Sequence, residues 1–268
     1  MKNYELTDET AVYQGHSLHR IRAVRDLPQQ AIKAGDRGGW IESVDNLTGD
    51  AWVGGEAIVY GAARVYDTAH VFGNSVVFGS AHISGDACVS GSARVHGTAR
   101  VYGTAQVFGN AVVFGAARIS GAAEVYGTAS VYDTAHVAGD ACVSDSVDVC
   151  GKSRIYGAAR VFGNAKVSDT AEVCGNASVS GHAYICGNAQ IKSDADYFVA
   201  KNTWSSFRRF TYTRSNKMWR VGCFYGTGEE LIAKAYKDSK LSGKCYEIIV
   251  KAQEAIEKAI EEVKETGK

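Results

Sequence analysis

Residues 59–82 read VYGAAR VYDTAH VFGNSV VFGSAH, which is one six-residue pattern repeated four times. Each hexad begins with an aliphatic residue, has Gly or Asp third and, with one exception here, Ala fifth. An aliphatic residue recurs at every sixth position from Leu47 to Ile191, which makes 25 positions without an insertion. Neither the 3.6-residue period of an α-helix nor the alternation of an open sheet explains a strict period of six.

The hexads predict a coil of short parallel strands joined by tight turns. The first and fifth residues point inward, one large and one small, whereas Gly, Asp and Asn in the turn tolerate a positive φ. Three hexads close one triangular coil of 18 residues, so the 25 hexads of residues 47–196 give about eight coils. We therefore predict a mainly β protein whose repeat domain is a parallel β-helix.

Both ends of the chain depart from the hexad pattern. Residues 1–46 have a mixed sequence that predicts an N-terminal cap, because the open end of a solenoid exposes unpaired backbone groups. In this interpretation Trp40 and Ile41 cover the first coil. Residues 197–268 form the third predicted domain, and they contain 14 basic and 9 acidic residues in a chain with no net charge overall.

The C-terminal residues 197–268 are predicted to fold as a small ββαα domain. The alternating stretches FRRFTYT and KMWRVGCF indicate a β-hairpin. Thr227, followed three residues later by Glu230, is a capping box that opens a helix. A second helix is expected after Gly243, with one apolar face formed by Ile248, Ile249, Ala252, Ile256 and Ile260.

Several stretches resemble known families. The hexad itself resembles the hexapeptide-repeat left-handed β-helix of the acyltransferase superfamily. KAGDRGGWIE from Lys33 and NLTGDAWV from Asn46 are similar to uncharacterised phage and bacterial hexapeptide-repeat proteins, some labelled transferases on fold alone. WRVGCFYGTGEELI from Trp219 and CYEIIVKA from Cys245 are similar to a terminal module of phage proteins, which we call the GCF module. The resemblance implies a left-handed β-helix and a phage or prophage origin, but no established activity.

One predicted outer face of the coil carries an apolar and aromatic stripe, interrupted by Arg94 and His96. Contiguous apolar patches are seldom left in contact with water. Two interpretations stay open: a protein partner or a second copy of the chain packs there, or the cap or the C-terminal helices cover it. The candidate residues are Ile58, Tyr60, Val76, Phe78, Val112, Phe114 and Tyr132.

A second outer face carries a column of basic residues, with Tyr66, Tyr102 and Tyr156 beside it. Guanidinium groups at strand spacing repel each other unless an anion or a carboxylate lies across them. The column predicts a surface for phosphates or an acidic protein, or else a solvated face balanced by turn aspartates such as Asp67 and Asp133. It consists of Arg64, His82, Arg100, Arg118, His136 and Arg154.

The predicted C-terminal hairpin interleaves aromatic and basic residues. Such a surface suits nucleic acid, because bases stack on aromatic rings while arginines contact phosphates. The alternative is that the aromatic residues form the core of the small domain. The candidate arginines are Arg208, Arg209 and Arg214, and the candidate stacking residues are Trp204, Phe207 and Tyr212.

Acyl transfer is the enzymatic alternative that the resemblance implies. That chemistry needs a general base, usually a histidine, beside the acceptor and a thioester site shaped by a loop between coils. The uninterrupted hexads predict no such loop, and we identify no catalytic residue, metal ligand or cofactor. The seven cysteines lack a CxxC spacing and are expected to be free thiols.

The sequence therefore favours a non-enzymatic binding protein of phage or prophage origin. We expect it to dock onto a host macromolecule through rigid faces of the β-helix, through the C-terminal domain or through both, for instance to inhibit a host defence complex. Nucleic-acid binding and acyl transfer are the alternatives. No apolar run is long enough to span a membrane and no signal peptide is recognised. We expect a cytoplasmic protein, in the host cytoplasm if a phage encodes it.

Overall fold

The structure is a computed structural model that describes residues 2–204 and 207–266 of the chain. The chain divides into two compact units, Met1–Asp194 and Ala195–Lys268. The first unit holds an N-terminal strand region and the hexad repeat, and the second holds an antiparallel sheet and two helices. Short 3₁₀ helices are found at Pro28–Gln30, Val44–Asn46 and Asp194–Asp196.

The hexads fold into a parallel β-solenoid, as predicted. The hexads contribute 24 two-residue strands, whereas Leu47 forms an isolated bridge with Val65. Every third strand joins the same sheet, so three sheets run along the solenoid in the described chain. About eight coils result, which confirms the mainly β solenoid fold. Its left hand stays a prediction from the resemblance.

We name the outer surfaces of the three sheets by the residues they carry. The aromatic face is formed by Ile58–Val59, Val76–Val77, Arg94–Val95, Val112–Val113, Ser130–Val131, Asp148–Val149, Lys166–Val167 and Tyr184–Ile185. The basic face is formed by Arg64–Val65, His82–Ile83, Arg100–Val101, Arg118–Ile119, His136–Val137, Arg154–Ile155, Glu172–Val173 and Gln190–Ile191. The mixed face is formed by Trp52–Val53, His70–Val71, Cys88–Val89, Gln106–Val107, Glu124–Val125, Cys142–Val143, Arg160–Val161 and Ser178–Val179.

The interior of the solenoid is a stack of aliphatic residues and small residues. All 25 aliphatic positions of the repeat are at most 1 % exposed. Ser75, Val147 and Ser153 replace the usual alanine and are buried as well. The two serine hydroxyls donate to the carbonyl oxygens of Phe72 and Cys150, at 2.8 and 2.7 Å respectively. The narrow core therefore accepts a hydroxyl only where the preceding turn offers it an acceptor.

The third residue of the hexad adopts a positive φ, and four aspartates at this position add a contact between coils. Asp67, Asp133, Asp145 and Asp169 have φ between 58° and 61°. Each carboxylate accepts a hydrogen bond from the backbone N–H of the glycine 18 residues later, at 2.8–3.0 Å. A side chain is thus accommodated in these turns when its carboxylate binds the next coil.

Two substitutions at Gly121 test this role of the aspartates. Gly121 has φ 68°, and a Cβ there would lie 2.9 Å from both the backbone N and O of Gly139. We expect Gly121→Ala to lower the free energy of unfolding by about 1–2 kcal/mol, the cost of left-handed φ in a residue with a Cβ. Gly121→Asp should cost about 1 kcal/mol less, because its carboxylate can accept from Gly139 N–H. Urea unfolding measures both, and an equal or larger loss for aspartate would contradict this account.

The N-terminal strands extend the sheet of the aromatic face. Strand β1 is Tyr4–Tyr13, β2 is His16–Ala23 and β3 is Arg37–Ile41. The pairs β1–β2 and β2–β3 are antiparallel, whereas β3 pairs in parallel with Ile58–Val59. An antiparallel hairpin therefore ends the parallel sheet, which protects the edge that the first coil would otherwise expose.

The position of Ile41 corrects the prediction that Trp40 and Ile41 cover the first coil. Ile41 is fully buried in register with Val59, so it belongs to the inward column and begins it one hexad before Leu47. Trp40 lies on the outer side of the same strand, in register with Ile58. Ile41 stands six residues before Leu47, but Ser43 and Asp45 replace the usual glycine and alanine of the hexad, which hid this additional repeat unit in the sequence.

A buried arginine anchors the hairpin to the first coil. Arg20 is 3 % exposed, and its Nη1 donates to the carbonyl oxygens of Gly38 and Gly55, at 3.0 and 2.8 Å. Its Nη2 lies 3.0 Å from Glu56, and the guanidinium stands 4.0 Å from the centre of a Trp40 ring. A buried charge is tolerated here because a carboxylate and two carbonyl groups bind it.

The C-terminal unit contains a four-stranded antiparallel sheet in chain order. The predicted hairpin is confirmed in Arg209–Thr213 and Met218–Val221, which pair with each other. Two further strands, Tyr197–Lys201 and Phe224–Gly226, flank it and were not predicted. Tyr197–Lys201 lacks a clear apolar alternation, and Phe224–Gly226 has only three residues, so neither has the sequence signal of a strand.

Two helices follow the sheet, α1 at Gly228–Asp238 and α2 at Lys240–Thr266. The capping box is confirmed: Glu230 N–H donates to Thr227 Oγ1 at 3.3 Å, and Thr227 N–H donates to Glu230 Oε2 at 2.9 Å. None of the described helices is both long and apolar enough to cross a membrane.

The predicted start of α2 is wrong, and of its predicted apolar face Ile249 packs against the buried core cluster of this unit whereas other members are exposed. The helix begins before Gly243, where a Cβ would lie 2.3 Å from the Tyr236 ring, so this glycine permits close packing of the two helices. The buried residues of α2 include Tyr246, Val250 and Gln253. Ile248 and Ile256 of the predicted face are 68 % and 48 % exposed, because the neighbouring sheet and α1 decide which side of the helix is covered.

Candidate binding faces

The outer residues of the solenoid form straight columns because the coils pair in exact parallel register. Arg100, for example, lies opposite His82 in one direction and Arg118 in the other. Adjacent strands are separated by about 4.8 Å. Each side chain is therefore within reach of the side chains 18 positions before and after it.

The aromatic face carries a continuous stack of rings, which we call the aromatic ladder. The centroids of successive rings are 5.1, 4.6, 5.2 and 4.9 Å apart, and the planes differ by at most 16°. Its five members are Tyr60, Phe78, His96, Phe114 and Tyr132. His96 was predicted to interrupt the apolar stripe, but its imidazole is a member of the stack between Phe78 and Phe114.

The N-terminal hairpin covers the first part of the aromatic face. Leu18 of β2 packs with Tyr60 and Val76 in a buried cluster, and Ile58 lies against the same cluster. The Tyr13 and His16 rings lie 5.8 and 4.5 Å from the Tyr60 ring. Intrachain cover thus accounts for this end of the predicted stripe.

The other part of the aromatic ladder is half-buried. This part consists of Phe114 and Tyr132. Val112, in the neighbouring column of outward side chains, is half-buried as well. Phe78 lies at the border and also carries the Arg94 guanidinium 5.7 Å above its ring. Burial and Arg94 lower the pKa of His96, so its imidazole is mostly neutral at neutral pH.

The basic face brings all six predicted basic residues into one column. Arg64, His82, Arg100, Arg118, His136 and Arg154 follow each other in register. Arg154 lies 3.6 Å from Glu172 of the next coil and 5.4 Å from the centre of the Tyr156 ring. Within the described residues, by contrast, Arg64, Arg100 and Arg118 form no ion pair.

The two histidines of this column feel the arginines beside them. Burial, Arg100 and Arg64 all lower the pKa of His82. Burial and the arginines on both sides likewise lower the pKa of His136, whose Nε2 lies 3.0 Å from Ser120 Oγ. Both imidazoles are therefore mostly neutral at neutral pH, and the positive charge of the column resides in its arginines.

The turn aspartates do not pair with the basic column. Asp67 and Asp133 bind the N–H groups of Gly85 and Gly151, as described for the turns. Asp86 accepts a hydrogen bond from the Thr68 hydroxyl. The contacts of the described residues therefore show no ion pair between these aspartates and the column.

The C-terminal candidates separate into core and surface. Tyr212 is 5 % exposed, and its hydroxyl donates to Glu257 at 2.9 Å. Arg214 lies 3.3 Å from the same carboxylate. Glu257 thus contacts both Tyr212 and Arg214, two residues that were predicted to contact nucleic acid. Exposed positions include Trp204, Phe207 and Arg208, whereas Arg209 is half-buried.

The described residues also bear on the alternative that the solenoid catalyses acyl transfer. Between residues 47 and 191, all of which are described, no loop is inserted between coils. No three His, Cys, Asp or Glu side chains of the described chain are grouped so that they could hold a metal ion. All seven cysteines are free thiols, as expected.

The comparisons with known proteins agree with the fold. A family model described as YdcK β-solenoid repeat matches residues 81–97 and 105–121. Both segments lie in the hexad repeat, so the chain is similar to that family in its coils. A search of curated proteins finds no match. The fold and the matched segments define a β-solenoid repeat protein.

His70 on the mixed face gives a test of the structure by pH. Burial lowers the pKa of His70 to about 4, and its ring lies 4.5 Å from that of Phe72. Because the unfolded chain takes up this proton first, stability is complete above pH ~6.5 and is lost as the pH falls towards 4. We expect this histidine to account for a loss of about 2 kcal/mol between pH 7.5 and 4.5.

The measurement is urea unfolding of the wild type and of His70→Phe at both pH values. The substitution should remove that loss, while the same change at the exposed His182 should not. If His70→Phe loses as much free energy of unfolding between the two pH values as the wild type does, the assigned protonation of His70 is contradicted.

Proposed function

We propose that the protein is a non-enzymatic binding protein that docks onto a partner protein through the aromatic face beyond the N-terminal hairpin. The observation that carries this proposal is the continuity of the aromatic ladder. One part of it packs under Leu18, Tyr13 and His16 of the same chain, and the stack continues through Phe114 and Tyr132. The hairpin is thus an intramolecular example of the kind of surface that this face accommodates.

The stacking of the ladder favours protein over nucleic acid or sugar as the ligand of this face. Bases and sugar rings bind aromatic side chains through the flat face of the ring. In the ladder those faces are already occupied by the neighbouring rings, at 4.6–5.2 Å. Ring edges and the Val112 side chain remain for contact, and these suit apolar side chains of another protein.

The backbone supports the same proposal. Each strand of the aromatic face between Ile58–Val59 and Lys166–Val167 pairs with the strand before and the strand after it. A surface held in this way loses little conformational freedom on binding, so more of the contact energy appears as affinity.

A more specific proposal concerns the identity of the partner protein. The resemblance to phage proteins in the hexads and in the GCF module supports a host protein as the partner, for instance a component of a defence complex in the host cytoplasm. A second copy of this chain is the competing occupant of the face, and it is distinguished by the mass of the purified protein.

The substitution Phe114→Asp tests the proposed interface. A carboxylate among ring edges is costly to desolvate, so binding should weaken by at least tenfold. The matched control is Phe108→Asp on the mixed face, where Phe108 stacks on Tyr126 at 4.7 Å in the same strand position. Both variants should keep the circular dichroism spectrum of the wild type.

Candidate partners are first captured from the native host with the wild-type protein. The binding of each purified candidate partner to the wild type, to Phe114→Asp and to Phe108→Asp is then measured. Light scattering gives the mass of each of these three proteins alone. A partner lost from Phe114→Asp and kept by Phe108→Asp supports the proposal. A dimeric wild type that becomes monomeric in Phe114→Asp assigns the face to a second copy. Equal partners and equal mass for all three would refute the interface.

A further inference from the structure

The first four members of the basic column are close to each other, and three of them are positively charged arginines. Arg64, His82, Arg100 and Arg118 lie on successive coils in direct register. Adjacent strands are about 4.8 Å apart. Like charges placed directly opposite each other on neighbouring strands are destabilising. The pair Arg100 and Arg118 has no neutral residue between its members, so the repulsion is greatest there.

Among the described residues, a counter-charge is found at only one end of this column. Arg154 has Glu172 at 3.6 Å, and the Tyr156 hydroxyl donates to the same carboxylate at 3.2 Å. The described residues offer no such carboxylate to Arg100 or Arg118. The nearby Asp67 is already bound to Gly85 N–H at 3.0 Å. The contrast along one column leaves the exposed Arg100 and Arg118 available to an anion from outside the chain.

A cleft lies at the same place. It has a volume of ≈ 350 Å³ and is lined by Tyr66, His82, Ser84, Arg100, Tyr102 and Arg118. The small Ser84 lies one coil from each of the two tyrosines, which leaves a recess between larger side chains. A second cleft of ≈ 360 Å³ adjoins it, shares Tyr66 and His82 and includes Arg64 and also Asp67, whose carboxylate accepts from Gly85 N–H.

The lining of the first cleft is rich in hydrogen-bond donors and holds no carboxylate. The residues that line it carry two guanidiniums, two phenol hydroxyls, one serine hydroxyl and one imidazole. Guanidinium groups bind phosphate and sulfate oxygens through paired N–H donors, and these charge-assisted bonds are stronger than neutral ones. Two guanidiniums at strand spacing can donate to different oxygens of one tetrahedral anion.

We propose that this cleft binds a tetrahedral oxyanion, a phosphate or sulfate group, between Arg100 and Arg118, with Ser84 and His82 as further donors. The site lies on the basic face and is independent of the protein interface proposed for the aromatic face. The adjoining cleft at Arg64 continues the site along the column, so a ligand with two or more linked anionic groups fits it better than a single ion.

His82 couples this site to pH. The groups that face it are Arg64 and Arg100 on the adjacent strands, Tyr66 and Asp67 before it, and Ser84. Its pKa is lowered by burial and by both arginines. A bound anion offsets the charge of these arginines and favours the protonated imidazole. Binding therefore takes up a proton, and affinity rises as the pH falls from 7.5 to 6.

The test is calorimetric titration of the full chain with inorganic pyrophosphate and, separately, with long-chain inorganic polyphosphate at low ionic strength. Arg100→Gln and Arg118→Gln should each weaken binding by about tenfold or more, since each removes charge-assisted hydrogen bonds. The control is Arg160→Gln on the mixed face, an exposed arginine in register with Cys142 and Ser178. It should change affinity less than twofold.

The two ligands separate two sources of the same chemistry. Pyrophosphate binding that both variants weaken supports a site for small phosphate compounds. Binding of polyphosphate alone, weakened in the same way, supports a polymeric ligand. The proposal is overturned if neither ligand binds, or if Arg100→Gln and Arg118→Gln bind like the wild type. Phe114→Asp should bind as the wild type does, so this result does not depend on the protein interface.

The proton linkage has its own measurement. Sulfate serves as the probe because it does not titrate between pH 6 and 7.5, and its binding is followed through the ring protons of His82 by NMR. Wild-type affinity should rise several-fold at the lower pH, and sulfate should raise the pKa of His82. His82→Gln should bind with little pH dependence. An unchanged titration of His82 in saturating sulfate would exclude its contact with the anion.

Discussion

The backbone hydrogen bonds between successive coils are the constraint on which the rest of the structure depends. Each strand of the repeat forms backbone hydrogen bonds, in parallel register, with the strand 18 residues away. This pairing requires a sharp turn after every strand, which the positive φ of the third hexad residue provides. It also requires a narrow interior, which the aliphatic and alanine pair fills. The register cannot slip by one residue, because every inward side chain would then face water.

A fixed register places every outer side chain directly against its counterparts in the coils before and after it. For rings this is favourable, since Phe78, His96 and Phe114 stack face to face and shield one another from water. For charges it is unfavourable, since Arg100 and Arg118 repel each other. The same geometry thus produces a stable ladder on one face and an electrostatic conflict on another. Alternating charges relieve such a conflict further along the same column, where Arg154 lies against Glu172.

The hexad allowed the solenoid, its three faces and the members of each column to be predicted from the sequence, because the period alone determines which residues are neighbours. Features that depend on tertiary contacts outside the period could not be predicted. The cover of Tyr60 by the N-terminal hairpin depends on Arg20, whose buried pairing has no sequence signature. The place of His96 in the ladder depends on ring shape rather than on hydrophobicity. The exposed side of α2, with Ile248 outward, depends on which neighbours pack against the helix.

The two candidate faces place different demands on the molecule. At the aromatic face, binding would extend a contact that the chain already makes with itself, so the free protein is stable and its affinity depends on apolar area. At the basic face, binding would relieve a repulsion between Arg100 and Arg118 that the free protein retains, so affinity depends on charge and falls with salt. Both faces are held by the backbone pairing and not by each other's side chains. A substitution in one column should therefore leave the other column in place, and the two binding activities can be separated within a single folded protein.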